Sequence, residues 1–381
     1  MITASELPDS TIEWLATGSA VFAAVDSALA LAKVSVCLEI YIFADDSVGR
    51  RVRELLVAAA RRGCQVQVLV DALGSLPLSD HFWDELRTAG GEVRRFNSFC
   101  PRRLPIRDHR KILLIDDSVA FVGGFNLAEE YCGDGVERGW RDVGVRLAGP
   151  CLAKLRTAFN DMFNRCVEPE RLWRRFRLRD RGKLHVDQHA IEILPTGPGS
   201  GPSVFQQRLT DDLLHARKVD LATAYFLPGA RLRRRFRQVV KRGGRVRVIV
   251  PGISDVRLSQ NAGRHLYAGL LRAGVEIYEY QPQMLHAKLY GIDQTVYVGS
   301  TNLDLRSLHI NYEIMTRLRD ASLLREVEHY FDDLVRHSRQ IKREDWRASR
   351  SFFEKFREQL SYIILARLDP YLTQWLSRGQ H

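Results

Sequence analysis

The sequence predicts an α/β protein of two tandem α/β domains that form one shared active site at their interface. Each domain is expected to hold a mixed, largely parallel sheet with helices on both faces. One observation behind this prediction is a pattern, His-x-Lys-x4-Asp, that occurs twice in 381 residues, at 109–116 and at 286–293. A second is that each copy is followed by a glycine turn and an asparagine. A third is that the segments before the two copies recur in the same order.

The recurring segments predict the same succession of elements in both halves. Short apolar runs indicate buried strands, and longer amphipathic runs closed by a glycine indicate helices. The predicted pairs are strands at 34–43 and 219–226, helices at 52–62 and 232–242, strands at 66–70 and 246–250, helices that end at Gly90 and Gly274, and strands at 93–96 and 275–280. Tyr41 and Tyr225 fall at equivalent positions, and core packing is the preferred interpretation for both.

Each motif is expected on a hairpin, with strands at 111–115 and 120–123 in the first half and a matching turn at 292–294 in the second. The histidine and lysine of a motif are two residues apart, which places them on the same face of one strand. About seven extra residues within 97–108, including Arg102, Arg103 and Arg107, precede the first motif. This insertion is interpreted as a basic loop at the rim of the cleft.

The predicted domains are 1–165 with the first motif, a basic linker at 166–189, and 190–340 with the second motif. Residues 341–381 are predicted to form C-terminal amphipathic helices. The linker surrounds Trp173 and Phe176 with basic residues, and a solvated face and contact with anionic headgroups are equally open alternatives. The C-terminal stripe that includes Phe353, Phe356 and Leu360 could close the core or lie at a membrane interface.

Composition narrows the range of partners. The net charge of +11 favours an anionic partner, either a phospholipid surface or nucleic acid. The six cysteines contain no Cys-x-x-Cys pair, which argues against a zinc cage or a disulfide framework. The first residues lack the pattern of a secretory signal, and no segment has the roughly 18 apolar residues that a membrane span needs. Membrane contact is therefore expected to be peripheral.

The doubled motif fits phosphoryl transfer through a covalent intermediate. Such a reaction needs one nucleophile and one proton donor on opposite sides of a phosphorus atom, and His109 and His286 can supply them. A phosphodiester is negatively charged, so its attack benefits from nearby cations and hydrogen-bond donors. The residues expected to provide these are Lys111, Lys288, Asn126 and Asn302.

Further polar residues are expected to support the site. Asp142 and Glu313 lie at matching places after the two asparagines and are predicted to orient the histidines. Gly124 and Ser300, in the two glycine turns, are assigned to phosphate binding together with the asparagines. Asp116 and Asp293 complete the predicted catalytic set in a supporting role, with a turn-forming role as a nearly equal alternative.

The runs that carry these residues resemble the phospholipase D superfamily over most of the chain. More narrowly, residues 109–126, 224–229, 285–293 and 298–313 are similar to bacterial cardiolipin synthases of the short form without N-terminal transmembrane helices. One departure is Gly124, where the family pattern has the serine found at Ser300. The superfamily resemblance implies two phospholipase D-like domains around one site, no metal or other cofactor, and a phosphohistidine intermediate.

The narrower resemblance implies a phosphatidyltransferase. It would move a phosphatidyl group from phosphatidylglycerol, or phosphatidylethanolamine, onto the glycerol hydroxyl of another phosphatidylglycerol. By the same resemblance, His109 is the nucleophile and His286 the general acid and base. The implied location is the cytoplasmic face of a bacterial membrane, with anionic phospholipid and the membrane surface as partners and no nucleic acid expected.

The sequence alone leaves three other functions as alternatives. Water could resolve the same intermediate, which would make the protein a hydrolytic phospholipase D that releases phosphatidic acid. A phosphodiester nuclease would use the same histidine pair, and the positive charge suits it equally well. A membrane-binding scaffold without activity is the third. The donor lipid and the oligomeric state also stay open.

Overall fold

The computed structural model describes residues 10–97, 105–166, 190–199, 201–348 and 350–368. Most of the predicted basic linker, the loop residues Arg102 and Arg103, and the last residues of the chain lie outside the described ranges. Within those ranges, no helix combines the length and the apolar character that crossing a membrane would require.

The first half folds around a seven-stranded sheet. Its elements in chain order are β1 (Thr11–Leu15), α1 (Gly18–Leu31), β2 (Ser35–Ile40), α2 (Ser47–Arg61), β3 (Gln65–Asp71), α3 (Asp84–Thr88), β4 (Glu92–Phe96), β5 (Ile112–Ile115), β6 (Val119–Gly123), β7 (Gly144–Ala148) and α4 (Leu152–Arg165). The strand order is β1-β7-β6-β5-β2-β3-β4. Several helices begin at a polar residue that caps the first turn, as Asp46 does for α2 by accepting the N–H of Gly49 at 2.9 Å.

The second half repeats this plan around an eight-stranded sheet. Its elements are β8 (Ile191–Thr196), α5 (Val204–His215), β9 (Lys218–Thr223), α6 (Ala230–Lys241), β10 (Arg245–Pro251), α7 (Arg257–Arg272), β11 (Glu276–Tyr280), β12 (Lys288–Ile292), β13 (Thr295–Gly299), α8 (Leu305–His309), β14 (Glu313–Leu318), α9 (Ala321–Arg336), β15 (Ser338–Ile341), α10 (Arg343–Ala348) and α11 (Phe352–Ile363). The strand order is β15-β11-β10-β9-β12-β13-β14-β8.

The mixed α/β architecture is confirmed, but the expectation of largely parallel sheets is wrong. Only β2–β3, β3–β4, β9–β10 and β10–β11 pair in parallel. All other neighbours in the two sheets are antiparallel. A parallel pair needs a long crossover, which the helices α2, α3, α6 and α7 supply, whereas each motif hairpin closes through a short turn.

Apolar side chains form three clusters in a layered arrangement. One cluster packs α1, α2 and α3 on the outer face of the first sheet, and another packs α5, α6 and α7 on the outer face of the second. The third lies between the sheets and joins both halves with α4 and α9. Helices therefore cover both faces of each sheet, and the two halves share the central core.

The C-terminal helix α11 packs on α7 and is apolar on its exposed side as well. The Tyr362 ring stacks on His265 with a centroid separation of 4.7 Å. Phe353, Phe356 and Leu360, by contrast, are exposed. One side of α11 thus closes the core of the second half, while the other side exposes its apolar side chains to solvent.

Candidate active site

Backbone hydrogen bonds hold each motif against the segment of the other half that carries Asp142 or Glu313. The N–H of His109 donates to the carbonyl of Tyr312 at 2.9 Å, and the N–H of Tyr312 donates to the carbonyl of Arg107 at 2.8 Å. In the other direction, the N–H of His286 donates to the carbonyl of Arg141 at 2.8 Å. Each histidine is therefore anchored to the residue that precedes a carboxylate of the other half.

Each histidine is hydrogen-bonded to a carboxylate from the opposite half. His109 Nδ1 lies 3.0 Å from Glu313 Oε2, and His286 Nδ1 lies 2.7 Å from Asp142 Oδ2. A carboxylate at Nδ1 fixes the ring orientation and leaves Nε2 available for chemistry. The sequence points to the four residues but contains no signal for this crossed pairing, which depends on how the halves face each other.

Two buried lysines stand beside the histidines. Lys111 Nζ donates to the carbonyl of His109 at 2.8 Å, while Lys288 Nζ lies 2.7 Å from Nδ1 and 3.0 Å from Nε2 of His286. Burial lowers the pKa of Lys111 to about 7 and that of Lys288 to about 8. Both ammonium groups are consequently poised to lose a proton near neutral pH.

Burial and the two ammonium groups also act on the histidines. They hold the pKa of His109 well below its ordinary value and lower the pKa of His286 to about 4. Both imidazoles are therefore neutral at pH 7. A neutral ring with its Nδ1 held by a carboxylate can act through Nε2 as a nucleophile or a base.

Glu313 is a fully buried carboxyl group that accepts two hydrogen bonds at one oxygen. Burial raises the pKa of this carboxyl group to about 8, which by itself favours the protonated form. However, the Ser300 hydroxyl at 2.5 Å and the His109 ring at 3.0 Å both converge on one oxygen, Oε2. This oxygen has two lone pairs and accepts both hydrogen bonds, while Lys111, the Ser300 hydroxyl and Lys288 favour the ionised form without cancelling the effect of burial.

The glycine turns differ in a way that the carboxylates explain. In the second half the Ser300 hydroxyl donates to Glu313. In the first half a Cβ at Gly124 would lie 2.3 Å from Asp142 Oδ1, so no side chain fits there. The shorter Asp142 carries its carboxylate into the space that a serine would fill. Gly124 with Asp142, and Ser300 with Glu313, are thus two matched pairs.

The two asparagines connect the site to the residues that follow β2 in the first half and β9 in the second. Asn126 Oδ1 accepts the N–H of Ile42 at 3.2 Å, and its Nδ2 donates to the Tyr131 hydroxyl at 2.6 Å. Asn302 Oδ1 accepts the N–H of Tyr225 at 3.3 Å. Both asparagines are buried and reach the wall of the cavity described next, so they can both shape it and contact a ligand.

One cavity of about 470 Å³ contains the candidate groups of both halves. Its wall includes both motif histidines, the two asparagines, and the aromatic side chains Tyr41, Tyr131, Trp140 and Tyr225. The ring of Tyr41 packs edge-on against His109, and that of Tyr131 against His286, at centroid separations of 4.9 and 5.2 Å. In the described part of the chain, no group of three or more His, Cys, Asp or Glu side chains is arranged to hold a metal ion.

Asp116 and Asp293 are not at this cavity, and their place among the catalytic residues needs correction. The Asp116 carboxylate accepts the N–H groups of Lys33, Val34 and Ser35 at 2.9, 2.7 and 2.8 Å. Asp293 likewise accepts those of Arg217 and Lys218, at 3.0 and 2.8 Å. Both carboxylates tie the far end of the motif hairpin to the start of the neighbouring strand. Their carboxylates therefore support the hairpin and do not reach a ligand in the cavity.

Comparison with known proteins shows the family to which the chain belongs. Residues 25–164 and 209–335 match the family model described as "Cardiolipin synthase, PLD-like domain". The chain is 30% identical to cardiolipin synthase 1 of Bacillus cereus, over 87% of this chain and 68% of the relative. It is also 30% identical to cardiolipin synthase B of Salmonella typhi, over 96% of this chain and 90% of the relative.

Solved structures show the same fold. The crystal structure of phosphatidylserine synthase from Haemophilus influenzae matches with a TM-score of 0.74 at 17% identity, over 95% of this chain and 94% of that chain. Polyphosphate kinase from Porphyromonas gingivalis matches with a TM-score of 0.54 at 14% identity, over 97% of this chain and 53% of that chain. At these identities the likeness concerns the fold alone.

Proposed function

Because the chain belongs to the cardiolipin synthase family of phospholipase D-like domains, we propose that it is a phosphatidyltransferase that makes cardiolipin. The donor is phosphatidylglycerol, or phosphatidylethanolamine, and the acceptor is the glycerol hydroxyl of another phosphatidylglycerol. The observation that supports this most is the cavity with one histidine from each half, each bonded through Nδ1 to a carboxylate.

In the first step, His109 Nε2 attacks the phosphorus of the donor. A phosphorus–nitrogen bond forms while the phosphorus–oxygen bond to the headgroup breaks, and the departing alkoxide takes a proton from His286. Entry of the anionic phosphodiester raises the low pKa of His286, because a negative charge favours the protonated ring. Lys288 Nζ, 3.0 Å from His286 Nε2, is the adjacent source of that proton.

The second step reverses the first with a new alcohol. His286, now neutral, removes the proton from the glycerol hydroxyl of the acceptor, and that oxygen attacks the phosphohistidine. The bond from phosphorus to His109 breaks and cardiolipin leaves. During both steps the ammonium group of Lys111 offsets the negative charge on the phosphoryl oxygens. Lys288, which gives up its proton in the first step, regains one through His286 when the acceptor hydroxyl is deprotonated.

The membrane surface is the proposed partner, since both substrates are lipids that reside in a bilayer. The net charge of +11 favours an anionic lipid surface. The proposed association is peripheral, on the cytoplasmic face of a bacterial membrane.

Product analysis tests the proposal. The purified protein is incubated with phosphatidylglycerol vesicles, and cardiolipin and glycerol are expected in equal amounts. A His109→Ala variant serves as the control for contaminating activity and should form neither. If phosphatidic acid is the dominant product and cardiolipin is absent, the protein is a hydrolase and the synthase proposal fails.

A further inference from the structure

Two exposed loops occupy equivalent places in the two halves. Backbone hydrogen bonds define the equivalence. The N–H of Gln65 donates to the carbonyl of Val34 at 2.9 Å, and the N–H of Arg245 donates to the carbonyl of Arg217 at 2.8 Å. Gln65 therefore corresponds to Arg245, the first residues of β3 and β10. The loops that follow these strands begin at positions 72 and 252.

Both loops expose aliphatic side chains at the same two positions. Eight residues after the strand start are Leu73 and Ile253, which are 44% and 61% exposed. Eleven residues after it are Leu76 and Val256, which are 59% and 41% exposed. An exposed Leu at one position is ordinary, but exposure repeated at both positions of both halves indicates a surface with a partner.

These loops border the cavity that contains the two histidines. Leu73 from one loop and Val256 from the other are both part of the cavity wall, although both are also exposed to solvent. We use the name apolar rim for Leu73, Leu76, Ile253 and Val256. The apolar rim thus lies at the cavity mouth, with one side in each half of the protein.

We propose that the apolar rim docks on an anionic phospholipid bilayer, so that the cavity mouth opens directly onto the lipid headgroups. This inference rests on the proposed function, in which donor and acceptor both come from a membrane. The cavity of about 470 Å³ has the size of a small-molecule site, so it accommodates headgroups while the acyl chains stay in the bilayer.

Charge complementarity selects an anionic bilayer as the occupant. Arg257, which directly follows the apolar rim residue Val256, is exposed, and Arg107 and Arg306 line the cavity below the rim. The exposed Asp255 that precedes Val256 accepts a hydrogen bond from the Tyr225 hydroxyl at 2.7 Å, and the chain as a whole carries a net charge of +11. Aliphatic side chains insert at the boundary of headgroups and acyl chains, while neighbouring basic groups attract anionic headgroups. A rim with one side in each half also suits a reaction that joins two lipids.

Vesicle flotation tests the inference with a Leu76→Ser, Ile253→Ser double variant. Neither residue lines the cavity. The matched control is Leu31→Ser, Val34→Ser, which removes two exposed aliphatic side chains at the opposite end of the first sheet. The wild type and the control should float with vesicles of equal parts phosphatidylglycerol and phosphatidylcholine. The partition coefficient of the rim variant between vesicles and water should be lower by about tenfold or more, because the variant no longer moves two aliphatic side chains out of water.

Two further measurements complete the test. A Leu76→Trp, Ile253→Trp variant should bind the vesicles at least as well as the wild type, with tryptophan emission shifted to shorter wavelength. On a short-chain phosphatidylglycerol dissolved as monomers, the serine variant should match the wild type, since no docking is needed. If the wild type forms no cardiolipin but still floats through the rim, the docking inference survives and the proposed function fails.

Other results overturn the docking inference. Flotation of the serine variant equal to that of the wild type would do so, as would equal binding of the wild type to vesicles of pure phosphatidylcholine. A wild-type dimer in solution that the serine variant dissociates would show that a second copy of the chain occupies the rim.

Discussion

At the residue scale, each half supplies the carboxylate that is hydrogen-bonded to the histidine of the other half. Glu313 serves the histidine of the first half and Asp142 serves that of the second. The identities of these residues could be predicted from the sequence, because the same residue types recur after each motif. Their crossed pairing could not, since it arises from the way the two halves face each other.

The matched pairs of glycine with aspartate and serine with glutamate give a prediction. Gly124→Ser places a Cβ 2.3 Å from Asp142 Oδ1 and should push this carboxylate away from His286. We expect kcat to fall by roughly 100-fold, the low end of what a general acid contributes. The Gly124→Ser, Asp142→Glu double variant rebuilds the pair of the second half and should recover part of the loss.

A double-mutant cycle on kcat checks this coupling, with circular dichroism as a control for folding. If the losses caused by Gly124→Ser and Asp142→Glu simply add in the double variant, the two positions are independent and the matched-pair interpretation is wrong.

The buried lysines predict an unusual pH dependence. Lys111 and Lys288 are cationic below their pKa values of about 7 and about 8 and become neutral above them. The ammonium groups that favour an anionic substrate are thus present at low pH and lost as the pH rises. We expect kcat/KM, which reports on the free enzyme, to decline between about pH 7 and 8. A decline that begins only near the ordinary lysine pKa of 10.5 would contradict this account.

At the element scale, local patterns predicted the elements but not their pairing. The motif hairpins, the crossover helices and the strands β2, β3, β9 and β10 follow from apolar periodicity, which acts within a few residues. Strand direction depends on which neighbours meet in the sheet, so the expectation of a largely parallel sheet failed. The edge strands β1 and β15 carry polar side chains, so their sequences lack the run of apolar residues from which a strand is predicted.

Asp116 and Asp293 also show that a local pattern in the sequence does not predict what a side chain contacts. Their spacing from the histidines suggested chemistry, whereas the structure places them where they hold backbone N–H groups of the adjacent strand. Asp116→Ala should lower the free energy of unfolding by about 1–2 kcal/mol, as loss of a helix cap does, because three N–H groups lose their acceptor. Asp116→Asn should cost less, since asparagine tolerates the positive φ of 53° and can still accept.

Urea denaturation of both Asp116 variants measures the predicted difference, and kcat is measured on the same samples. If kcat falls by orders of magnitude while the free energy of unfolding stays unchanged, Asp116 takes part in the chemistry and the structural assignment is wrong.

At the scale of the whole molecule, the two halves form one unit. The sequence predicted two domains around one site, but it did not indicate a core shared by both sheets. Arg110 shows how closely they interlock: its guanidinium donates to the carbonyls of Glu313, Ala158 and Thr196 at 3.2, 3.3 and 3.2 Å. Such contacts join positions far apart in the chain, and no local pattern in the sequence reports them.

The central claim is that the two halves share one site that works through one phosphohistidine. The most direct test supplies phosphatidylglycerol labelled at phosphorus, quenches the reaction within a turnover, and maps the label under conditions that preserve phosphohistidine. The account predicts at most one label per chain, on His109, and none in the His109→Ala variant. Two labels per chain, a label on His286, or no labelled histidine during active turnover would contradict it.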